Sequence, residues 1–418
     1  MKQGWEIKKL KEICDKITDG THQTPKYFNS GIIFLSSKNV TSGKIDWDNV
    51  KYIDEKQHLE MHKRVAPRIG DILLAKNGTT GVAAMVDKDI TFDIYVSLAH
   101  IRTLGAVIPE YLLYFINSPI AKKQFNKRLK GIGVPNLHLQ EIREVEVTFP
   151  ESKDEQKQIV RILDKAFAAI DQAKANIEKN IQNAQELFQS KLNEIFSQKG
   201  EGWEEKTLGE VCRVIGGGTP SKGNKDYYNG DIRWATVRDM NVDLVEETEH
   251  RITLDAVKNS STNIIPANNV IIATRVGLGK ICIVKHETAI NQDLRGIIPI
   301  NERKLSVQFL FRWLKSVANK IIGAGTGATV QGVKLPFIKS LVINIPNPNT
   351  QLEIVNKIDR LSIGTNRLIE LYQIKIDNLD HLKKSLLQKA FSGELTSGDS
   401  EQFDQVSIAA EPTESYSS

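Results

Sequence analysis

Few residues of this chain stand at spacings that do covalent chemistry. Gly216 to Lys225, reading GGGTPSKGNK, has the composition of a phosphate-cradling loop. It lacks the G-x-x-x-x-G-K-[ST] spacing that sets a lysine over phosphates, and no strong strand feeds it. Asn344-Ile345-Pro346-Asn347-Pro348 is not the Asx-Pro-Pro-aromatic tetrad of the amino-methyltransferases. There is no G-x-G-x-x-G fingerprint and no Gly-x-Ser-x-Gly elbow. The histidines are read as forming no H-x-x-x-H helix pair and no His/Cys cluster of metal spacing, and His22, His58, His62, His100 and His138 as surface or hydrogen-bonded residues rather than catalysts. Cys14, Cys212 and Cys282 are too few and too scattered for a disulfide framework or a zinc site. They are expected as buried thiols, with a reducing cytoplasm as the default compartment. The expected catalytic residues and metal ligands are none, and no cofactor is expected in this chain.

What remains is binding. Residues 1–150 carry 22 Lys and Arg against 17 Asp and Glu, and residues 201–348 carry 19 against 15. The last stretch, 396–418, has five acids and no base, and is expected to be disordered. A modest positive charge on two similar parts fits a polyanion partner. No apolar run approaches the ~18 residues of a membrane span. The opening MKQGWEIKKLKEIC has no apolar core behind its charges and is not read as a signal peptide.

The elements that must position these charges repeat. Gly4-Trp5-Glu6, Leu10, Glu12 and Cys14 recur as Gly202-Trp203-Glu204, Leu208, Glu210 and Cys212. Gly20-Thr21 is paired with Gly218-Thr219. Asp71 to Ala75 and Asn269 to Ala273 read as buried strands. Each leads through a glycine turn into a second strand, Val82 to Val86 and Lys280 to Val284, a hairpin signal. Helices are expected over Pro109–Ser118 and Val307–Val317. Val147–Pro150 and Ile343–Pro346 close the two globular parts. The chain is thus a tandem duplication of about 195 to 200 residues. The loops differ where the scaffold does not: Asp19 to Lys26 faces Ile215 to Lys222, and Gly131 to His138 faces Gly325 to Gly332.

Each globular part is followed by a long stretch of helical period. Asp154 to Ser197 contains no Gly or Pro, and Ile159, Leu163, Ile170 and Ile177 fall on a heptad seam. Thr350 to Ser392 carries Ile354, Ile358, Leu361, Leu368, Leu379 and Leu386 on one side, with Gly364 as a weak spot rather than a break. Neither helix buries its seam alone, so the two are expected to pair antiparallel, and their length to set the spacing of the globular parts.

The Gly-Trp-Glu openings, Asp19-Gly20-Thr21-His22, Gly217-Gly218-Thr219-Pro220, the Gly70-to-Leu73 strand, the Glu155-Gln156-x-x-Ile159 helix start and the Ala390-to-Leu395 ending resemble the specificity subunit of type I DNA restriction-modification enzymes. The resemblance covers residues 1–395; Thr350-Gln351 departs from the Glu-Gln helix start. It implies an α+β fold with two β-rich α/β target recognition domains, separated by two long helices that pair as an antiparallel coiled coil. The expected borders are 1–150 for the first domain, 151–200 for the central helix, 201–348 for the second domain, 349–395 for the C-terminal helix and 396–418 for the tail. It implies a non-catalytic, cytoplasmic subunit that reads a split, asymmetric site in double-stranded DNA. The implied partners are two modification subunits, which carry S-adenosylmethionine and methylate adenine, and two restriction subunits, which use ATP and Mg. A stand-alone sequence-specific nucleic-acid-binding protein without methyltransferase partners is the competing reading, and a protein-binding coiled-coil scaffold the third. A neighbouring gene encoding an Asn-Pro-Pro-Phe or Asp-Pro-Pro-Tyr tetrad separates the first reading from both.

Reading DNA requires Arg or Lys toward guanine, or Asn or Gln toward adenine. The candidates are His22, Gln23, Lys26, Lys38, Asn39, Lys76 and Asn77 in the first domain, and Lys222, Arg238, Arg275 and Gln331 in the second. Lys38 with Arg238, and Lys76 with Arg275, are taken as near-equivalent positions suited to phosphate.

Overall fold

The structure is a computed structural model that describes residues 2–129, 136–327 and 332–396. It divides into two compact units: residues up to Glu178 together with those from Gln373 onward, and Lys179–Tyr372. Each unit therefore holds one globular part and a portion of both long helices. The expected border at 150 coincides with the end of Glu146–Pro150, and that at 348 with the first residue of the helix Pro348–Ser392, but the compact units cut through the helices instead. The reason is packing, because each helix portion buries its apolar side on the globular part beside it.

In the first unit, short β-branched runs bounded by glycine turns form two sheets. One is antiparallel, in the order Cys14–Asp19, Leu98–Thr103, Ile72–Ala75, Ala83–Met85. The other places Ile32–Leu35 between Lys51–Ile53, antiparallel, and Phe92–Ile94, parallel. Trp5–Lys9 pairs with Glu146–Pro150, so the chain enters and leaves this part side by side. The second unit repeats the plan. Cys212–Gly216, Leu294–Pro299, Asn269–Ala273 and Ile281–Val284 make the first sheet, extended by Leu244–Val245. Ile232–Ala235, His250–Ile252 and Thr288–Ile290 make the second, extended by Asn263–Ile265. Glu204–Thr207 pairs with Val342–Ile345.

Strand register corrects one pairing read from the sequence. The Thr21 amide donates to Ile94 O and the Gly218 amide to Ile290 O, each at 3.0 Å. Gly20-Thr21 therefore matches Gly217-Gly218, not Gly218-Thr219. Glycine is required there, because a Cβ on Gly20 would lie 1.9 Å from Ile94 O and one on Gly217 2.4 Å from Ile290 O.

The long helices run over Lys153–Ser197 and Pro348–Ser392, the second unbroken through Gly364. Their antiparallel sense is visible within the first unit, where Lys174 meets Asp380 at 2.9 Å and Asp171 meets Lys383 at 3.1 Å. There Ile159, Leu163 and Ile170 share a core with Leu386, Leu387 and Phe391, and Phe391 lies edge-on to Tyr111 and Phe115. In the second unit Leu192, Ile195 and Phe196 share a core with Val355, Ile358 and Phe309, with Ile354 packed against it. Ile177 and Leu379 are half-buried. Leu361 and Leu368 keep 38% and 41% of their surface and do not lie on the buried side. That side runs instead through Ile358, Ser362, Thr365, Ile369, Tyr372, Ile376 and Leu379, a 4-3 spacing one position away.

The repeated glutamines at the helix starts now have a cause. Gln156 is buried; it accepts from the Ile108 amide and donates to Ala106 O and Pro150 O, all at 2.9 Å. Gln351 makes the same three bonds, with the Ser306 amide, Lys304 O and Pro346 O. One amide thus satisfies three backbone groups where sheet, loop and helix meet, and any side chain of other shape leaves them unpaired.

Candidate nucleic-acid interface

Four loops converge at one end of the first globular part. The loop after Cys14–Asp19 is held by the Thr21 amide on Ile94 O, and by the Val96 amide on Thr21 O. The turn Ser37–Val40 is held by the Ser37 amide on Ser97 Oγ, and the loop after Ile72–Ala75 by the Lys76 amide on Ser97 O. The loop ahead of Leu139 returns through the Leu137 amide on Lys76 O. In the second part the bonds from Gly218 to Ile290, Thr274 to Asp293 and Val333 to Thr274 match those of Thr21, Lys76 and Leu137, and Asn291 to Ala235 matches Tyr95 to Leu35. Lys76 therefore corresponds to Thr274, and Asn77 to Arg275. Lys76 and Arg275 thus stand one position apart, near-equivalent as expected and not equivalent.

The candidates meet different fates in this frame. His22, Gln23, Lys26 and Lys38 are exposed. Lys76 is buried, and its Nζ lies 2.6 Å from Asp19 Oδ2. Arg64 binds the same carboxylate at 2.5 Å and Asp19 O at 3.0 Å. Burial alone pushes Asp19 up, but its hydrogen bonds to Lys76 and Arg64 outweigh this and hold it below the ordinary carboxylate range. The Lys76 charge is thus spent inside the protein, which removes it as a phosphate contact. Asn39 is also withdrawn as a base reader. It is buried, accepts from the Ser36 amide at 2.9 Å, and donates to Asp46 O and Asn49 O. Asn77 stays in play. Its backbone pairs with that of Asn136 in an isolated β-bridge, and both residues line a cleft of about 630 Å³ together with His22 and His138. The Oδ1 atoms of Asn77 and Asn136 are buried there with no hydrogen-bond partner among the described residues.

In the second part, Lys222 and Arg238 line a cleft of about 680 Å³ together with Tyr228, Trp234, His250 and Gln292. Arg238 is 79% exposed and stands 3.6 Å from Glu249. Arg275 reaches Asp293 at 3.6 Å. Gln331 lies outside the described residues. Trp234 donates from Nε1 to Gly218 O at 3.2 Å, and Tyr228 packs edge-on to it. Thr219 hydrogen-bonds Gln292. Sequence reading missed Arg64, Asn136, Trp234, His250 and Gln292. The signal that finds Trp234 and His250 is strand register, since they face each other across one ladder.

Two further groups belong elsewhere. Burial pushes the Cys14 and Cys212 thiols up to about 12 and Cys282 up to about 11, which makes them unreactive core residues. His58 and His62 are four residues apart, the spacing of helical metal ligands, and both bind Asp93. The reading of the histidines as unclustered is corrected on that point. Among the described residues, no helix is long and apolar enough to cross a membrane.

Known proteins resemble this chain in sequence and in fold. The family described as the type I restriction modification DNA specificity domain matches residues 2–183 and again residues 200–378. The EcoR124I/EcoR124II type I restriction enzyme specificity subunit of Escherichia coli is 35% identical over 222 residues, 51% of this chain and 54% of that protein. The chain thus spans about half the length of that relative. The putative MjaX specificity subunit of Methanocaldococcus jannaschii is 22% identical over 94% of both chains. A chain from a structural study of complex assembly and conformational transition of the type I R-M system superposes with a TM-score of 0.73 at 17% identity, covering 94% of this chain and 99% of its own. The HsdS subunit of Thermoanaerobacter tengcongensis gives 0.55 at 20%, covering 94% and 98%. At these identities the superpositions speak for the fold. The two family matches take in most of the sequence, and the chain belongs to the type I restriction-modification DNA specificity family.

Proposed function

We propose that this chain is the non-catalytic, DNA-reading subunit of a type I restriction-modification complex. Each globular part reads one half of a split, asymmetric site in double-stranded DNA. Two modification subunits supply S-adenosylmethionine and the adenine-methylating site. Two restriction subunits supply the ATP- and Mg-dependent cleavage. The observation that carries this reading is the repeated loop cluster. The same backbone bonds present unlike side chains in the two parts, Asn77 and Asn136 in one and Arg275, Lys222 and Gln292 in the other. Constant scaffolding with different hydrogen-bonding edges is what two readers of different base sequences need.

The test is methyl transfer from S-adenosylmethionine to DNA by purified proteins. Transfer is expected only when this chain and a modification subunit are both present, and only at one split sequence. Transfer by the lone chain, or by the modification subunit at unrelated sites whether or not this chain is added, overturns the assignment.

A further inference from the structure

The helix Glu55–Met61 and the strand Phe92–Ile94 carry a side-chain cluster that DNA reading does not use. His58 Nδ1 lies 2.6 Å from Asp93 Oδ2, and His62 Nδ1 lies 2.9 Å from Asp93 Oδ1. The Asp93 carboxylate is buried, and the two imidazoles are its side-chain partners among the described residues. One ligand-type atom from each of the three residues falls within 4.8 Å of the other two. The histidines keep 15% and 31% of their side-chain surface, so solvent reaches the cluster from one side.

The second unit provides an internal comparison. Helix caps Asp54 and Thr253 match, each accepting from the amide three residues on. Strand register matches Asp93, opposite Phe34, with Ala289, opposite Trp234. His58 then falls on Val257 and Asp93 on Ala289, which belong to an ordinary apolar cluster. The helix Leu254–Lys258 ends before the equivalent of His62. The fold therefore closes this position with apolar packing, and the first unit departs from it with three ligand-type residues at once. A buried carboxylate is costly unless its charge is met. A cation held by two imidazoles and one carboxylate meets it.

We propose that His58, His62 and Asp93 bind a divalent transition metal of the Zn2+ class. Two imidazoles select against hard cations such as Mg2+ and Ca2+, and the i, i+4 pair on one helix face presents both rings together. Tetrahedral ligands at ~2.0–2.1 Å from Zn2+ stand ~3.4 Å apart. The His58 Nδ1–Asp93 Oδ2 and His62 Nδ1–Asp93 Oδ1 pairs open by about 0.8 and 0.5 Å to reach that separation, within the reach of side-chain torsions. Each imidazole then keeps its proton on Nε2, and water from the open side completes the shell. The metal pins the helix to the strand. Gln57 on that helix holds the Lys26 backbone by bonds of 2.8 and 3.0 Å, so the pin extends to a loop of the candidate interface.

The test uses the full chain, stripped with chelator and titrated with Zn2+ and with Co2+. One saturable site is expected, with the visible absorption of N,O-ligated Co2+ and a rise in the thermal midpoint with Zn2+ concentration. The double variant His58→Gln, His62→Gln should lose at least about ten-fold in Zn2+ affinity while its circular dichroism in chelator stays that of the parent. His286→Gln, an exposed histidine of the other unit, should bind as the parent does. Absence of saturable Zn2+ binding, or undiminished affinity in the double variant, overturns the site. Should the double variant not fold, His62→Gln at the half-exposed helix end serves alone, and unchanged affinity there overturns it equally.

Discussion

Lys38 and Arg238 occupy the same place in two turns built alike. In one, the Ser36 amide donates to Asn39 Oδ1 at 2.9 Å; in the other, the Thr236 amide donates to Asp239 Oδ2 at 2.7 Å. Each turn closes on its own side chain and leaves the intervening base in solvent. A long cation in solvent at a loop end is suited to phosphate, which is reached without fixing a rotamer. Lys38→Ala and Arg238→Ala are each expected to weaken DNA binding by the assembled complex about equally for all sequences. The slope of log affinity against log salt should fall by about one for each. Relaxed discrimination at one base position, worth about 1–3 kcal/mol, would instead make them base readers. The type of these two residues and their equivalence were legible in the sequence. The fate of Lys76 and Asn39 was not. Both look like free polar groups in a loop, and only the fold brings Asp19 and Arg64 to one and the Asp46 and Asn49 carbonyls to the other.

Heptad spacing announced the long helices, and their bounds differ from the structure by one or two residues. Their inner face was harder to read on the second helix. Large leucines at Leu361 and Leu368 draw the seam toward themselves, but the helix buries the side carrying Ser362 and Ile369. Two helices in contact need small residues at some positions to approach closely, so size alone misplaces the seam by one step. Gly364 lies in this stretch, exposed, and among the described residues nothing beyond its chain neighbours and its own helix backbone comes within 4 Å of where a Cβ would stand. It has helical neighbours on both sides and no packing reason to be glycine. Gly364→Ala should therefore stabilise the chain by about 0.5–1 kcal/mol, through the entropy that glycine loses on entering a helix. Chemical denaturation of the two proteins measures it. A loss of stability would mean that this position is shaped by something other than helix propensity.

At the scale of the whole molecule, duplication is what the sequence displays most openly, and it carries a functional consequence. Each globular part has its own pair of sheets, its own core and its own four loops, so changing one leaves the other's hydrogen bonds intact. Residues 1–150 end where Glu146–Pro150 closes on Trp5–Lys9, which is a natural border for exchange. Beyond it, Gln156 must remain, because its amide receives the incoming domain through backbone groups at the positions of Ala106, Ile108 and Pro150. These are main-chain contacts, so they do not depend on the side chains of the domain that is brought in. Replacing residues 1–150 with the equivalent part of another specificity subunit should therefore give an active complex that methylates a new site. One half of that site should be inherited from the donor and the other half kept. Mapping methylated adenines across a genome in cells carrying the chimera decides it. A change in both halves, with the chimera folded and active, would show that the two parts do not read DNA independently.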